Sequence, residues 1–491
     1  MTRRASWLMV AKTFGFLSSL ALPLLLVRRM DQEQYGLYKQ AFLLVASAVS
    51  ILPLGFHMSA FYFLPRYREW QRQVVLNIVL FHALAGAVAA TALFLNPSIL
   101  GLIFRSVALV PYARLISIVI LLWIVACFLE TAPIANEEIK LAARFIAVSQ
   151  LTRAMILLAA AAAYGTIRAL LYAAIVFGIL QTVALLVYLE SRFSGFWKSF
   201  DWTVSRKQLS YALPVGSSSL LLMLQTDLHN YFVSNRFGPA MFAVYSIGVM
   251  QLPFMLLVQE ATNSVMITRI AKLQQQNLQR EAIQAIAGAA RKLAACFFPA
   301  YALLLVVGPE FIRFMFTARY ADSWPVFAVN LTLLPLNIFL IDALLRAYAS
   351  ERYFVLRLRI AILAGLVLIL ALWTRQLGPV GVIAIVVSAG IVERIALSLR
   401  FGRLLGVTRQ DFKLLKDVGK LAIASSLAGL SCAVLRTVIA GQPPFVVLAV
   451  CGTQFALVYL VCVHFLRVGS PVEYAALKTS ATGLLRRLNA R

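Results

Sequence analysis

Stretches of about twenty predominantly apolar residues, such as Val355 to Trp373, recur from one end of this chain to the other, which is the length a helix needs to cross a bilayer. Inside hydrocarbon every backbone polar group must find its partner within the protein, so only helices or closed barrels can span. The stretches do not alternate in and out every second residue as barrel strands do. The fold class expected is therefore all-α integral membrane protein. Composition agrees, since 62% of the 491 residues are apolar and only 13% charged, beyond what water-soluble domains show. About fourteen crossings, each taking about 20 residues, would use some 280 and leave short connections.

Spans are expected near 7–27, 41–64, 74–95, 111–131, 143–164 and 167–189, and then near 208–233, 240–260, 288–307, 323–345, 356–374, 378–399, 418–438 and 443–466. Arg3 and Arg4 precede the first apolar run as they would in a signal peptide. That run continues to Val27 without an Ala-x-Ala-like site, so it reads as the first span.

Basic residues resist translocation and set orientation. With both ends inside, 32 of the 45 Lys and Arg fall on inner connections and tails, flanking residues being counted with the nearest connection. Eleven fall outside, and Lys12 and Arg153 lie within spans. A bacterial inner-membrane protein with cytoplasmic termini is expected. The formal charge of +26 then has a counterpart in anionic membrane lipids. Nucleic acid is not an expected partner, since the reading finds no basic run with interleaved exposed aromatics.

Cys127, Cys296, Cys432, Cys451 and Cys462 form no Cys-x-x-Cys pair, and His57, His82, His229 and His464 lie on different spans without i, i+4 pairing. No disulfide, metal or other cofactor is expected from such spacing. Neither a phosphate-cradling loop nor a nucleophile elbow occurs, so no enzyme activity is expected and energy for transport must come from elsewhere.

Two stretches repeat. Met30 to Tyr38, with Tyr35 and Tyr38, is echoed by Phe237 to Tyr245, with Phe242 and Tyr245. Asn96 to Phe104 is echoed by Gly308 to Phe316 at an offset five residues larger. Duplicated bundles are common among secondary transporters, which bind substrate between their halves. The organisation expected is a six-helix bundle over 1–200, a pseudo-symmetric one over 201–400, and two further helices with a basic tail over 401–491.

At these residues the chain resembles the polysaccharide-exporting flippases. The opening carries Lys12, Val27-Arg28-Arg29, Tyr35-Gly36-Leu37-Tyr38 and Leu54-Gly55-Phe56; the centre carries Tyr211-Ala212-Leu213-Pro214, Asp227 and Phe237-Gly238; and Gly308-Pro309-Glu310 leads to Tyr320. The resemblance spans most of residues 7–350 and implies the multidrug, oligosaccharidyl-lipid and polysaccharide exporter superfamily. It also implies a lipid-linked oligosaccharide substrate, translocated for surface polysaccharide assembly such as O-antigen, beside partner polymerase and assembly proteins. Two alternatives stand beside it: a drug or cation antiporter of the same superfamily, and a membrane glycosyltransferase or polymerase.

Moving a sugar diphosphate across hydrocarbon calls for an alternately opened polar cavity with cationic groups. Lys12 and Ser19 lie on a stripe with Gly15 and Pro23 in the first span, and Gly216, Ser219, Met223, Asp227 and Asn230 form a corresponding stripe in the seventh. Facing stripes would line one chamber. Lys12 also suits a second reading, snorkelling to the inner headgroups. Arg153 can meet phosphate or a carboxylate on a neighbouring helix, and Asp342 and Arg346, four apart, can meet substrate or each other. His57, His229 and Glu260 are the candidates for proton or ion coupling.

Overall fold

A computed structural model describes residues 21–348 and 351–468, without side chains at 214, 215, 217–219, 222 and 352. The described residues form helices and turns and contain no strand. Helix α1 (Gln32–Ile51) starts where the Asp31 carboxylate accepts a hydrogen bond from the Gln34 amide, giving an otherwise orphan donor its partner. Leu54 and Gly55, both with positive φ, break the span. A tight turn over Phe56–Ser59 and helix α2 (Ala60–Arg66) complete it. Then follow α3 (Gln71–Leu95), α4 (Ser98–Phe104), α5 (Ala113–Ala126), α6 (Phe128–Ala135), α7 (Ile139–Ala163) and α8 (Ile167–Arg192). The second half contains α9 (Trp202–Gly248), α10 (Pro253–Gln275), α11 (Gln279–Phe316), α12 (Trp324–Leu331), α13 (Ile341–Ala347), α14 (Arg352–Leu404), α15 (Lys416–Val438) and α16 (Pro444–Phe465).

Helices α9 and α14 have 47 and 53 residues, which at 1.5 Å per residue is about 70–80 Å and more than twice the bilayer core. Each divides at a glycine: Gly238 (φ 78°, ψ 177°) and Gly378 (φ 65°, ψ 178°). That backbone region strongly favours glycine, and the prolines that follow, Pro239 and Pro379, suit the first position of a new helix. The breaks coincide with the boundaries expected between 233 and 240 and between 374 and 378. Nine helices among the described residues are long and apolar enough to cross a membrane, or up to eleven when two bent pairs count as one span each. The thirteen expected spans after the first all fall on helical segments. Four of them, over residues 41–64, 111–131, 240–260 and 323–345, are interrupted.

By contact the chain groups into two compact units, one made of residues up to Leu257 with Met315–Val329 and Tyr353–Ala389, the other of Val258–Phe314, Asn330–Arg352 and the residues from Gly390 on. In the first unit α1 and α9 lie side by side and touch through glycines. A Cβ on Gly36 would sit 1.9 Å from the Pro239 carbonyl oxygen, and one on Gly216 would sit 2.0 Å from that of Leu54. Between spans in lipid the apolar environment offers little drive for association, so such close backbone approaches and buried hydrogen bonds hold helices together. Gln40, fully buried, donates to Ser234 Oγ at 2.7 Å. A second buried network ties the broken span to α3 and α9: Gln208 donates to Ser59 Oγ at 3.1 Å, and Asn77 donates to Gln208 Oε1 at 3.1 Å. Phe56, Phe63, Phe128 and Phe196 fill the core around it.

Ion pairs join the helices of the second unit. Arg436 of α15 donates to Glu310 of α11 at 2.9 Å, and Arg400 of α14 pairs with Glu351 at 2.7 Å. Arg280 holds both Asp411 oxygens, at 2.8 and 2.9 Å. Helix α16 docks where the Tyr459 hydroxyl donates to the Ala295 carbonyl at 3.1 Å, over a core of Val307, Cys432, Cys451 and Phe455.

Candidate functional site

Between their two glycine contacts α1 and α9 leave a cavity of about 490 Å³, closed further by α3 and α4. Its wall is apolar except for Ser47, Asp227 and Tyr231. The α9 stripe read from the sequence meets this helix: Gly216 forms the contact at one end, and Met223 and Asp227 line the chamber. The Tyr231 hydroxyl, one turn beyond Asp227, donates to Ser47 Oγ at 2.7 Å. This pair fixes the polar edge of the chamber and leaves Asp227 as the charged group on its described wall. No Lys or Arg lines it among the described residues. Asn230 is half-buried and outside the lining. Lys12 and Ser19 lie outside the described residues, as does the side chain of Ser219.

The remaining sequence candidates are scattered. Arg153 of α7 places its guanidinium 4.7 Å from the centre of the Trp123 ring on α5, a cation–π contact, with Tyr38 and Glu130 close enough to interact with it electrostatically. His229 is buried and shares a 2.8 Å hydrogen bond with the Tyr245 hydroxyl, so it is a partnered core histidine. Glu260 is exposed on α10. Asp342 and Arg346 occupy opposite ends of the seven-residue α13 and are both exposed. Asp342 instead interacts electrostatically with Arg394 of α14, which donates to Asn337 at 2.8 Å.

Two groupings escaped the sequence reading. The first is a bowl of about 400 Å³ formed by Tyr62, Phe63, Tyr67, Trp70, Lys207 and Tyr211, with Ser210 at its edge. Tyr67 stacks on Trp70 at 4.5 Å and Tyr62 on Tyr211 at 4.8 Å. Lys207 Nζ lies 4.5 Å over the Trp70 ring, and the Arg66 guanidinium lies 4.1 Å over Tyr62. Stacked rings offer flat apolar faces while the two cations remain exposed, a combination able to receive both a ring and an anion. Part of the signal was local, in Tyr62 to Trp70 with Arg66 and Arg68 interleaved; the rest arrives from α9. The second grouping is His57, His82 and Cys127, whose donor atoms lie within 4.8 Å of one another. Three different segments supply them, which linear spacing does not reveal.

The family described as "Polysaccharide biosynthesis protein" matches residues 25–325. No curated protein sequence matches the chain. Among solved structures, one described as lipid II flippase MurJ in an inward closed conformation is similar with a TM-score of 0.74 and 14% identity, covering 94% of this chain and 98% of that one. An inward-facing multidrug resistance MATE family transporter of the MOP superfamily is similar with a TM-score of 0.56 and 15% identity, covering 85% and 96%. A mutant of the Vibrio cholerae MATE transporter VcmN gives 0.55 and 16%, covering 84% and 100%. At these identities the likeness is one of fold.

Proposed function

The chain belongs to the polysaccharide biosynthesis protein family, and from that premise we propose that it flips a polyprenyl-diphosphate-linked oligosaccharide from the cytoplasmic to the outer leaflet by alternating access. The observation that carries this reading is the pairing of a polysaccharide family match with a multi-pass fold similar to a lipid II flippase over 94% of the chain. The two six-helix bundles, the inner-membrane location with cytoplasmic termini, and partner polymerase and assembly proteins belong to the same proposal.

The local chemistry is consistent with it. The bowl combines ring faces for sugar with Lys207 for diphosphate, and Arg66 lies beside it over the Tyr62 ring; it lies on connections that the basic-residue count assigns to the cytoplasm. Lys12, a compact ammonium with three donors, would supply the phosphate contact inside the membrane. A lipid-linked substrate leaves its tail in the bilayer, so only the head needs the polar route.

One observation favours a second reading. The charged group on the described cavity wall is the Asp227 carboxylate, which suits a cation antiporter better than a diphosphate carrier. Proteoliposomes separate the two. A polyprenyl-diphosphate glycan with a fluorescent sugar should become accessible on the opposite leaflet, and Lys12→Ala should slow this at equal protein content. Movement of a cationic dye with no movement of the glycan would overturn the flippase reading.

A further inference from the structure

We propose that His57, His82 and Cys127 form a binding site for one d10 cation, Zn2+ or Cu+, that fastens three consecutive spans to each other. His57 sits in the turn that breaks the second span, His82 lies within α3, and Cys127 is the residue that joins α5 to α6. The site stands apart from the proposed transport function and needs none of its assumptions.

Metal–sulfur and metal–nitrogen bonds of about 2.3 and 2.0–2.1 Å at tetrahedral or trigonal angles put sulfur and nitrogen about 3.6–3.8 Å apart. Cys127 Sγ and His82 Nδ1 are 3.7 Å apart. The third donor lies within 4.8 Å of the others, so about 1 Å of side-chain adjustment closes the set. The two imidazole rings already meet edge to face, with centroids 5.6 Å apart.

A second observation also points to a ligand. Nδ1 of His57 is buried without a hydrogen-bond partner, whereas on the fully buried His82 the nitrogen facing Cys127 is Nδ1. Buried polar atoms are nearly always partnered, and a bound ion is one way to satisfy such an atom. Two imidazoles and one thiolate select a soft or borderline cation; Mg2+ and Ca2+ prefer oxygen donors, which this set lacks. The Cys127 thiol now donates to the Ile124 carbonyl at 3.1 Å. On binding, the S–H bond breaks, the proton leaves to solvent and the sulfur–metal bond forms, with no change of oxidation state.

The test uses the full chain, purified in detergent without a polyhistidine tag and titrated separately with Zn2+ and with Cu+ under reductant, with metal content measured by mass spectrometry. One ion per chain is expected from at least one arm, and the arm that saturates first names the metal. Co2+ should give a thiolate-to-metal charge-transfer band. Cys127→Ser, His57→Gln and His82→Gln should each weaken binding by on the order of 100-fold or more, whereas Cys296→Ser should leave it intact. Binding by the wild type no greater than by Cys127→Ser, binding indifferent to the two histidine changes, or a cobalt spectrum without the thiolate band overturns the site. Where a variant does not purify as a single species, the cobalt spectrum of the wild type decides.

Discussion

Gly216→Ala is a one-carbon change that should loosen the pairing of α1 and α9. The added Cβ would lie 2.0 Å from the Leu54 carbonyl oxygen, 2.5 Å from its carbon and 3.1 Å from the Gly55 nitrogen. All three are backbone atoms and cannot rotate aside. An ordinary carbon–oxygen contact is about 3.3 Å, so the helices must separate by roughly 1.3 Å at this end. Overpacking of that kind costs about 1–3 kcal/mol, offset in part by the gain of about 1 kcal/mol when alanine replaces glycine inside a helix. Gly36→Ala, whose Cβ would meet the Pro239 oxygen at 1.9 Å, should behave alike at the other end. Gly288→Ala on α11, where nothing lies within 4 Å, isolates the propensity gain and should stabilise. Reversible titration with SDS in mixed micelles measures all three. If Gly216→Ala is as stable as the wild type while Gly288→Ala shows its expected gain, the glycine contact does not hold these helices together. The double variant Gly36→Ala with Gly216→Ala should cost less than the sum of its parts if both substitutions widen the same helix pair.

Three further outcomes are expected. Asp227→Asn keeps the side-chain shape but removes the charge from the chamber wall; at matched abundance it should change transport without changing the SDS midpoint, and equal transport would deny Asp227 a role in the cavity. Asp411 is held below the usual carboxylate range, first by the Thr408 backbone N–H, then by the Thr408 hydroxyl and Arg280. A lowered folded-state value contributes stability that is present above the unfolded value of about 3.9 and lost as pH falls through the folded one. Hydrogen-exchange protection in the 405–416 connection, measured against the intrinsic exchange rate at each pH, should therefore stay constant from neutral pH down to about 4 and fall only in stronger acid, and an unchanged protection profile in Asp411→Asn would refute this. A phosphatase active only outside the cytoplasm should be inactive when fused after Arg491 and active when inserted near Pro379, and the reverse pattern would invert the topology.

What the sequence disclosed depended on whether the signal was local. Spans were legible because lipid imposes its length on each segment separately, and the breaks at Gly238 and Gly378 because glycine followed by proline acts on the backbone next to it. The stripe from Gly216 to Asp227 was legible as one face of a helix. Its partner was not: the expected facing span lies mostly outside the described residues, and the stripe meets α1 and the break at Leu54 and Gly55 that follows it. A glycine contact leaves no mark in the sequence of either helix beyond the glycine itself. His82 and Cys127 went unread for the same reason, since metal spacing in sequence reports only ligands carried on one segment. Trp70 and Lys207 likewise meet only because α3 and the start of α9 are held together by Asn77 and Gln208.

The glycine break at 378 bears on how the chain enters the membrane. Residues 352–377 and 379–404 are joined by a single non-helical residue, so no hydrophilic loop separates the two spans for the insertion machinery to thread across ahead of the second. The cost of passing polar backbone through hydrocarbon is thereby kept to one peptide unit and the nearby Arg375, and the pair can partition from the translocation channel in one step. A ten-residue hydrophilic insertion at Pro379 would convert that concerted step into two sequential ones, and its effect should appear in the kinetics of biogenesis before any change in the finished protein.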